Sequence, residues 1–212
     1  MRNIPVFTTE YGVASLVLKE IPYRETAYVT LQSTLYPEQL VAECRDFCRA
    51  AGAEKVYCTG HPYLEAYPYH TAVLQMRLPR DVLPDTDAAL FPVTEATLSQ
   101  WQEIYNRKME NVPNASYMDQ LDMKQMLRQG SGYFIHRDDQ LLGIGMVSGE
   151  ELLAVASVVP GSGEELIRAL NHAMTGDHIL LEVASENLPA MRLYQRMGFL
   201  CTGERSRWYK IL

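Results

Sequence analysis

The sequence predicts an α/β fold in which a mixed central sheet is flanked by helices, and three observations carry that expectation. Short apolar runs bounded by Gly, Pro, Asn and Asp alternate with longer stretches whose apolar residues recur at helical spacing. The C-terminal run from Ile179 to Ile211 reads as strand, helix, strand. The order of three strands, a helix and a strand occurs once in each half of the chain, with a proline between third strand and helix in both, Pro37 and Pro160.

In the first half, Pro5–Thr8, Val13–Leu18 and Ala27–Gln32 read as strands. Pro37–Ala51 reads as a helix with Leu40, Val41, Cys44, Phe47 and Cys48 inward, and Lys55–Cys58 as a further strand. Gly60–His70 is rich in Tyr and Pro and reads as a loop that packs the halves together in preference to lining a pocket. Pro79–Pro92 reads as the linker. In the second half a short strand at Phe91–Val93 leads to a helix capped at Thr94, with Leu98, Trp101, Ile104 and Tyr105 on one face and a break at Asn111–Asn114. A second helix covers Met118–Leu127. Strands follow at Tyr133–His136, Leu141–Val147 and Leu152–Val159, then a helix at Glu164–Met174 with Leu166, Ile167, Leu170 and Ala173 on one face. The division drawn from this layout is 1–88 and 89–212, the first being a worn copy of the second's middle section.

The most informative run is Asn187–Phe199. Asn187 is a good N-cap, Pro189 stands in the first turn where its missing N–H costs nothing, and Gly198 supplies the left-handed residue that ends a helix. Ala190, Leu193, Tyr194 and Met197 lie on one face. Asn187 and Tyr194 are seven residues apart, about two turns or ~10 Å along the axis, so cap and hydroxyl share a side.

This run, Asn-x-x-Ala-x-x-Leu-Tyr-x-x-x-Gly-Phe between two strands, resembles the GNAT N-acetyltransferase superfamily, and the element order of 89–212 matches that fold. The resemblance implies a splayed central sheet, duplicated here as two GNAT-like halves of which the first is degenerate. It implies an N-acetyltransferase that moves acetyl from acetyl-CoA directly to a primary amine of a small molecule or peptide. Tyr194 holds the position of the general acid, and a Tyr hydroxyl of pKa near 10 stays protonated at neutral pH and can protonate a thiolate of pKa about 8.5. Ala156 and Val158 match the strand positions closest to the thioester, where backbone groups bind. Gly161, Ser162 and Gly163 match the pyrophosphate loop, and Asn187 with Tyr194 the last helix beside coenzyme A. Glu150, Glu151 and Glu182 are candidates to take the amine proton, and no spacing selects among them. The sequence departs from the family at the loop: Pro160–Leu170 is short, no basic residue precedes the helix, and Glu164 and Glu165 put negative charge in its first turn. The alternative reading is therefore a catalytically inactive GNAT-like module that binds a ligand or a protein.

Composition narrows the classes further. Hydrophobic residues at 47% and charged residues at 21% exclude a disordered chain. The net charge of −7 divides as −3 over 1–88 and −4 over 89–212, which argues against nucleic acid, since phosphate binding needs clustered cations. No apolar run approaches the ~20 residues that span a bilayer, and Met1–Pro5 lacks the stretch of a secretory signal, so a cytoplasmic address is expected. Cys44, Cys48, Cys58 and Cys201 have no zinc-ligand spacing, and reduced thiols with no metal are expected. The exposed edges of a splayed sheet are compatible with a homodimer.

Overall fold

The structure is a computed structural model, and residues 5–212 are described. The expectation of no signal segment at the start of the chain falls partly on residues 1–4, outside the described residues. The chain divides into two compact units, one of residues up to Val73 with Glu204–Leu212, the other Leu74–Gly203.

In the first unit, β1 (Val6–Thr9) and β2 (Gly12–Val17) form a hairpin, and β2 pairs antiparallel with β3 (Thr26–Thr34) after the single-turn α1 (Ile21–Arg24). The helix α2 (Pro37–Ala50) crosses over to β4 (Lys55–Thr59), which runs parallel to β3 over five continuous pairs from Thr26↔Lys55 to Thr30↔Thr59. Leu40, Val41, Cys44 and Cys48 of α2 are buried against Ala14, Leu16, Ala27, Val29, Leu31 and Val56. Phe47, expected inward, is 43% exposed and lies beside Phe7 at 5.0 Å between ring centroids; it stands at the border of the helix's apolar stripe. Tyr209 and Ile211 complete this core from the end of the chain, where Tyr209 pairs with Cys58.

The Tyr- and Pro-rich segment is more ordered than the sequence reading allowed. Pro62–Ala66 is a 3-10 turn, and β5 (Tyr69–Pro79) is an eleven-residue strand over the stretch between the expected loop and the expected linker, which that reading left unassigned. Ala72, Leu74, Met76 and Leu78 alternate with Val73, Gln75 and Arg77, a period-2 signal interrupted by few turn residues. A further 3-10 turn at Arg80–Val82 follows.

The second unit has the strand order β5-β10-β9-β8-β7-β6, with β6 (Ala89–Pro92), β7 (Gly132–Arg137), β8 (Gln140–Ser148), β9 (Glu151–Ser157) and β10 (His178–Ala184). Helices cover both faces. On one, α3 (Leu98–Met109) and α4 (Gln120–Gln129) enclose Trp101, Met123, Met126, Phe134, Ile144, Ala154 and Ala156. Their starts differ from the expected ones: Thr97, not Thr94, precedes α3, and Asp119 opens α4 with a reciprocal capping box to Asp122.

On the other face, α5 (Gly163–Asn171) and α6 (Leu188–Arg196) pack with Leu142, Val147, Leu152, Ile179, Leu181 and Val183. Gly143 and Gly145 of β8 allow this close seat, because a Cβ on them would come within 2.6 and 2.3 Å of Leu166 and Leu170. Arg80 fixes the far end of α5, donating from Nε to Asn171 Oδ1 (2.6 Å), from Nη2 to Asn171 O (2.6 Å) and from Nη1 to Gly176 O (2.8 Å). The last strand, β11 (Leu200–Lys210), begins in this unit and ends in the other. No helix among the described residues is long and apolar enough to cross a membrane.

Candidate functional site

The site begins where two parallel strands part. β9 and β10 pair at Leu180↔Glu151 and Leu181↔Leu152, and their pairing stops there although β9 runs on to Ser157 and β10 to Ala184. The cause is local. Against β8, the register of β9 shifts by one residue between Leu152 and Ala154, so that Leu153 is an extra residue, and such a bulge bends its strand and increases its twist.

Backbone direction after the bulge follows from the ladder with β8. Val158 N–H donates to Leu142 O at 2.8 Å, and Ile144↔Ala156 and Met146↔Ala154 stand in step with it. In an antiparallel ladder bonded residues alternate, so the N–H and C=O groups of Val155 and Ser157 point away from β8, toward the gap. Side chains alternate too: Ala154, Ala156 and Val158 belong with α3 and α4, Val155 and Val159 with α5 and α6.

The turn from β9 into α5 is held by Ser162, which is buried. Its Oγ lies 2.8 Å from Val159 O and 3.1 Å from Leu142 O, so the hydroxyl proton is engaged within the turn. Gly161 has φ +86° and open space beside its Cα. Gly163 meets α6 directly: a Cβ there would lie 2.7 Å from Leu193 Cδ2 and 3.6 Å from Ser157 Oγ. The end of β9, the start of α5 and the middle of α6 thus converge on Ser157, Gly163 and Leu193.

Tyr194 follows Leu193 and is buried in the same apolar cluster as Val155 and Val159, with Phe199 at 5.4 Å between ring centroids. Burial disfavours the phenolate and pushes its pKa up to about 12. Asn187 caps α6, its Oδ1 accepting from Ala190 N–H at 3.4 Å.

The structure scatters the three carboxylates considered as bases. Glu151 opens β9 at its opposite end, six residues and roughly 20 Å from Ser157, and Glu150 precedes it. Glu150 Oε1 accepts from Asp177 N–H at 3.3 Å, and Glu182 is exposed on β10. The two first-turn glutamates of α5 are paired with arginines. Glu165 takes Arg137 Nη1 on both carboxylate oxygens at 2.8 Å, while Glu164 pairs with Arg168 and lies 4.0 Å from Arg196. Val155, Ser157, Arg137 and Arg196 escaped the sequence reading: backbone direction has no sequence signal, and the arginines are remote in sequence from the turn they reach. Among the described residues no His, Cys, Asp and Glu cluster could hold a metal.

No protein-family model and no curated protein matches the sequence. Solved structures do. A functionally unknown conserved protein from Staphylococcus epidermidis matches with a TM-score of 0.64 at 10% identity over 99% of this chain and 94% of that one. GCN5-related N-acetyltransferases match from Anabaena variabilis (0.59, 12%, over 87% and 54%) and Kribbella flavida (0.58, 9%, over 96% and 58%). The chain has the GNAT fold. The parted strands, the turn into α5 and the Asn187–Phe199 helix are the parts of this GNAT fold on which a functional reading rests.

Proposed function

We propose that this protein is an N-acetyltransferase that moves acetyl from acetyl-CoA to a primary amine of a small molecule or peptide by direct transfer, with its site in 74–203 and the first half as a degenerate copy. The observation that carries the reading is the early end of the β9–β10 pairing beside a buried tyrosine. Acetyl-CoA supplies a thioester, and what the chain must add is a donor to the carbonyl oxygen, a proton source for the sulfur and a hold on the phosphates. We assign the oxygen's donors to the N–H groups of Val155 and Ser157. They stand one residue from the expected Ala156 and Val158, because Val158 N–H is already bonded to Leu142. A pantetheine arm, rich in amides, fits the same row of unpaired backbone groups. Tyr194 is the proton source. At about 12 its hydroxyl remains protonated and acts chiefly as a hydrogen-bond donor to the sulfur, full transfer being uphill until the thiolate is itself desolvated.

The phosphates have support that the loop sequence conceals. Gly161 and Gly163 bring backbone to the start of α5, and Arg137 and Arg196 reach that end through Glu165 and Glu164. The negative charge expected to repel a phosphate is thereby neutralised. A cytoplasmic address suits acetyl-CoA, and no metal is required.

Calorimetric titration with acetyl-CoA is the test. Micromolar binding is expected, and Tyr194→Phe should lower turnover about 10²-fold with the binding constant unchanged. An inert GNAT-like binding module, the competing reading, gives no heat and no turnover, and an unchanged rate in Tyr194→Phe would remove the tyrosine from the mechanism.

A further inference from the structure

The sheet of the first unit carries α2 on one face, and its other face holds a group of rings that the acetyltransferase reading does not use. Val29, Val56, Cys58 and Tyr209 lie with α2 in the buried core, so the alternation of side chains turns Tyr28, Tyr57 and Trp208 to the opposite face. There Tyr57 stacks on His70, with 3.7 Å between ring centroids and 17° between planes. Tyr28 stands 5.7 Å from Tyr57, and Trp208 meets Tyr28 edge-on at 5.6 Å. All four rings are half-buried. In the second unit the face of the sheet opposite α5 is closed by α3 and α4, and the first unit has no such pair of helices among the described residues.

Cations border the rings. Lys210 is the register partner of Tyr57, and Lys55 lies two residues before Tyr57 on the same strand and face. Both lysines are exposed, and neither pairs with a carboxylate among the described residues. Arg207, on the same strand as Lys210, is by contrast held by Glu204 through two bonds of 3.1 and 2.8 Å. The neighbours two residues from Tyr28, Tyr57 and Trp208 along their strands are Thr26, Thr30, Lys55, Thr59, Ser206 and Lys210. The surroundings of the rings on this face are therefore polar and cationic, with no carboxylate in these positions.

A flat ring that bears a dianion is the ligand these groups fit. Stacking on aromatic side chains accepts any nucleobase, because every base has a π-face. A phosphate monoester carries close to two negative charges at neutral pH, which two ammonium groups match, whereas a carboxylate carries one. A nucleic-acid strand fits less well, because its successive phosphates need a row of cations and the chain as a whole carries −7. Beyond the acetyltransferase reading and independently of it, we propose that this face binds a free nucleoside monophosphate, its base stacked with the Tyr57–His70 pair and its phosphate held by Lys55 and Lys210.

The test uses Trp101→Phe, in which Trp208 is the one remaining tryptophan and reports on the ring cluster. Guanosine monophosphate is the probe, because coenzyme A itself carries adenine. It should quench Trp208 fluorescence to saturation, guanosine should need about tenfold more, and ribose 5-phosphate, a charge without a base, should leave the emission unchanged. Calorimetry on the unsubstituted chain should give the same constant for guanosine monophosphate. Lys55→Gln and Lys210→Gln should each weaken that binding about threefold and leave guanosine unaffected. The proposal is overturned by the absence of saturable binding in both measurements, by equal affinity for guanosine, by an equal quench with ribose 5-phosphate, or by lysine variants that bind as the parent does. Tighter binding of a single-stranded decanucleotide would overturn the free nucleotide in favour of a strand. A chain that fails to bind acetyl-CoA loses the acetyltransferase reading and keeps this one, since the reporter and both lysines belong to the first unit.

Discussion

A hydroxyl that titrates near 12 sets the pH behaviour expected of Tyr194. Were it the ionising group of the reaction, activity would fall through the ordinary tyrosine range near 10; raised by burial, it stays protonated there. Turnover should therefore rise with pH as the amine acceptor loses its proton and then hold level to about pH 10, measured as kcat/KM against pH. A decline centred between 7 and 9 would point to another group. The Asn187 cap and the inward face of Tyr194 were legible in the sequence because a capped helix fixes its own register and presents its faces predictably. The outward-turned backbone of Val155 and Ser157 was not, because it is set only by which way the strand turns after Leu153. Asn114 was read as a helix breaker, which its φ of +59° bears out, while the lack of a hydrogen-bond partner for its shielded amide among the described residues depends on packing no local pattern encodes.

At the scale of elements, the same strand order occurs twice, with α1 added between β2 and β3 and a different extent of parallel pairing. β1, β2, β3, α2 and β4 follow the connectivity of β7, β8, β9, α5 and β10, two antiparallel pairings and then a parallel crossover. β3 and β4 stay bonded over five pairs, whereas β9 and β10 keep two. Backbone groups that pair with each other are not free to bind a ligand, so over these pairs the first unit lacks the row of unpaired amides on which the proposed site depends. Titration with acetyl-CoA should give a stoichiometry of one per chain, and a value of two would show that β3 and β4 open. Most strands and helices were legible because their periodicity is local, with ends displaced by one or two residues. The strand β5 was obscured by its Tyr- and Pro-rich approach, since Pro68 and Pro79 punctuate it at both ends and invite a loop reading.

The whole molecule distributes its buried ionisable groups unevenly, and alkaline stability should reveal it. Cys44, Cys48 and Cys58 are fully buried in the core of the first unit. Loss of hydration raises Cys44 from 9.0 to about 12 and Cys48 to about 11, and raises Cys58 as well. Tyr28 in that unit and Tyr194 in the other rise to about 12 for the same reason. The sign is fixed by linkage. A group whose folded pKa exceeds its unfolded value stabilises the fold fully below the unfolded pKa, and the contribution is lost as pH rises through the folded one. For the thiols loss starts near 9, for the tyrosines near 10, so the first unit, which holds all three thiols, should weaken first. The chain has two tryptophans, and they fall one in each unit: Trp208 beside Tyr28, and Trp101, whose Nε1 donates to Tyr133 O at 3.1 Å. Thermal melts of Trp101→Phe, followed by Trp208 fluorescence, should move to lower temperature between pH 8 and 11 by more than melts of Trp208→Phe followed by Trp101. Equal movement of the two would mean that the units melt as one cooperative body or that the thiols do not govern the alkaline response. Repeating the Trp208 melts with Cys44→Ala separates these, since removing a titrating thiol should flatten the pH dependence only if the thiols set it.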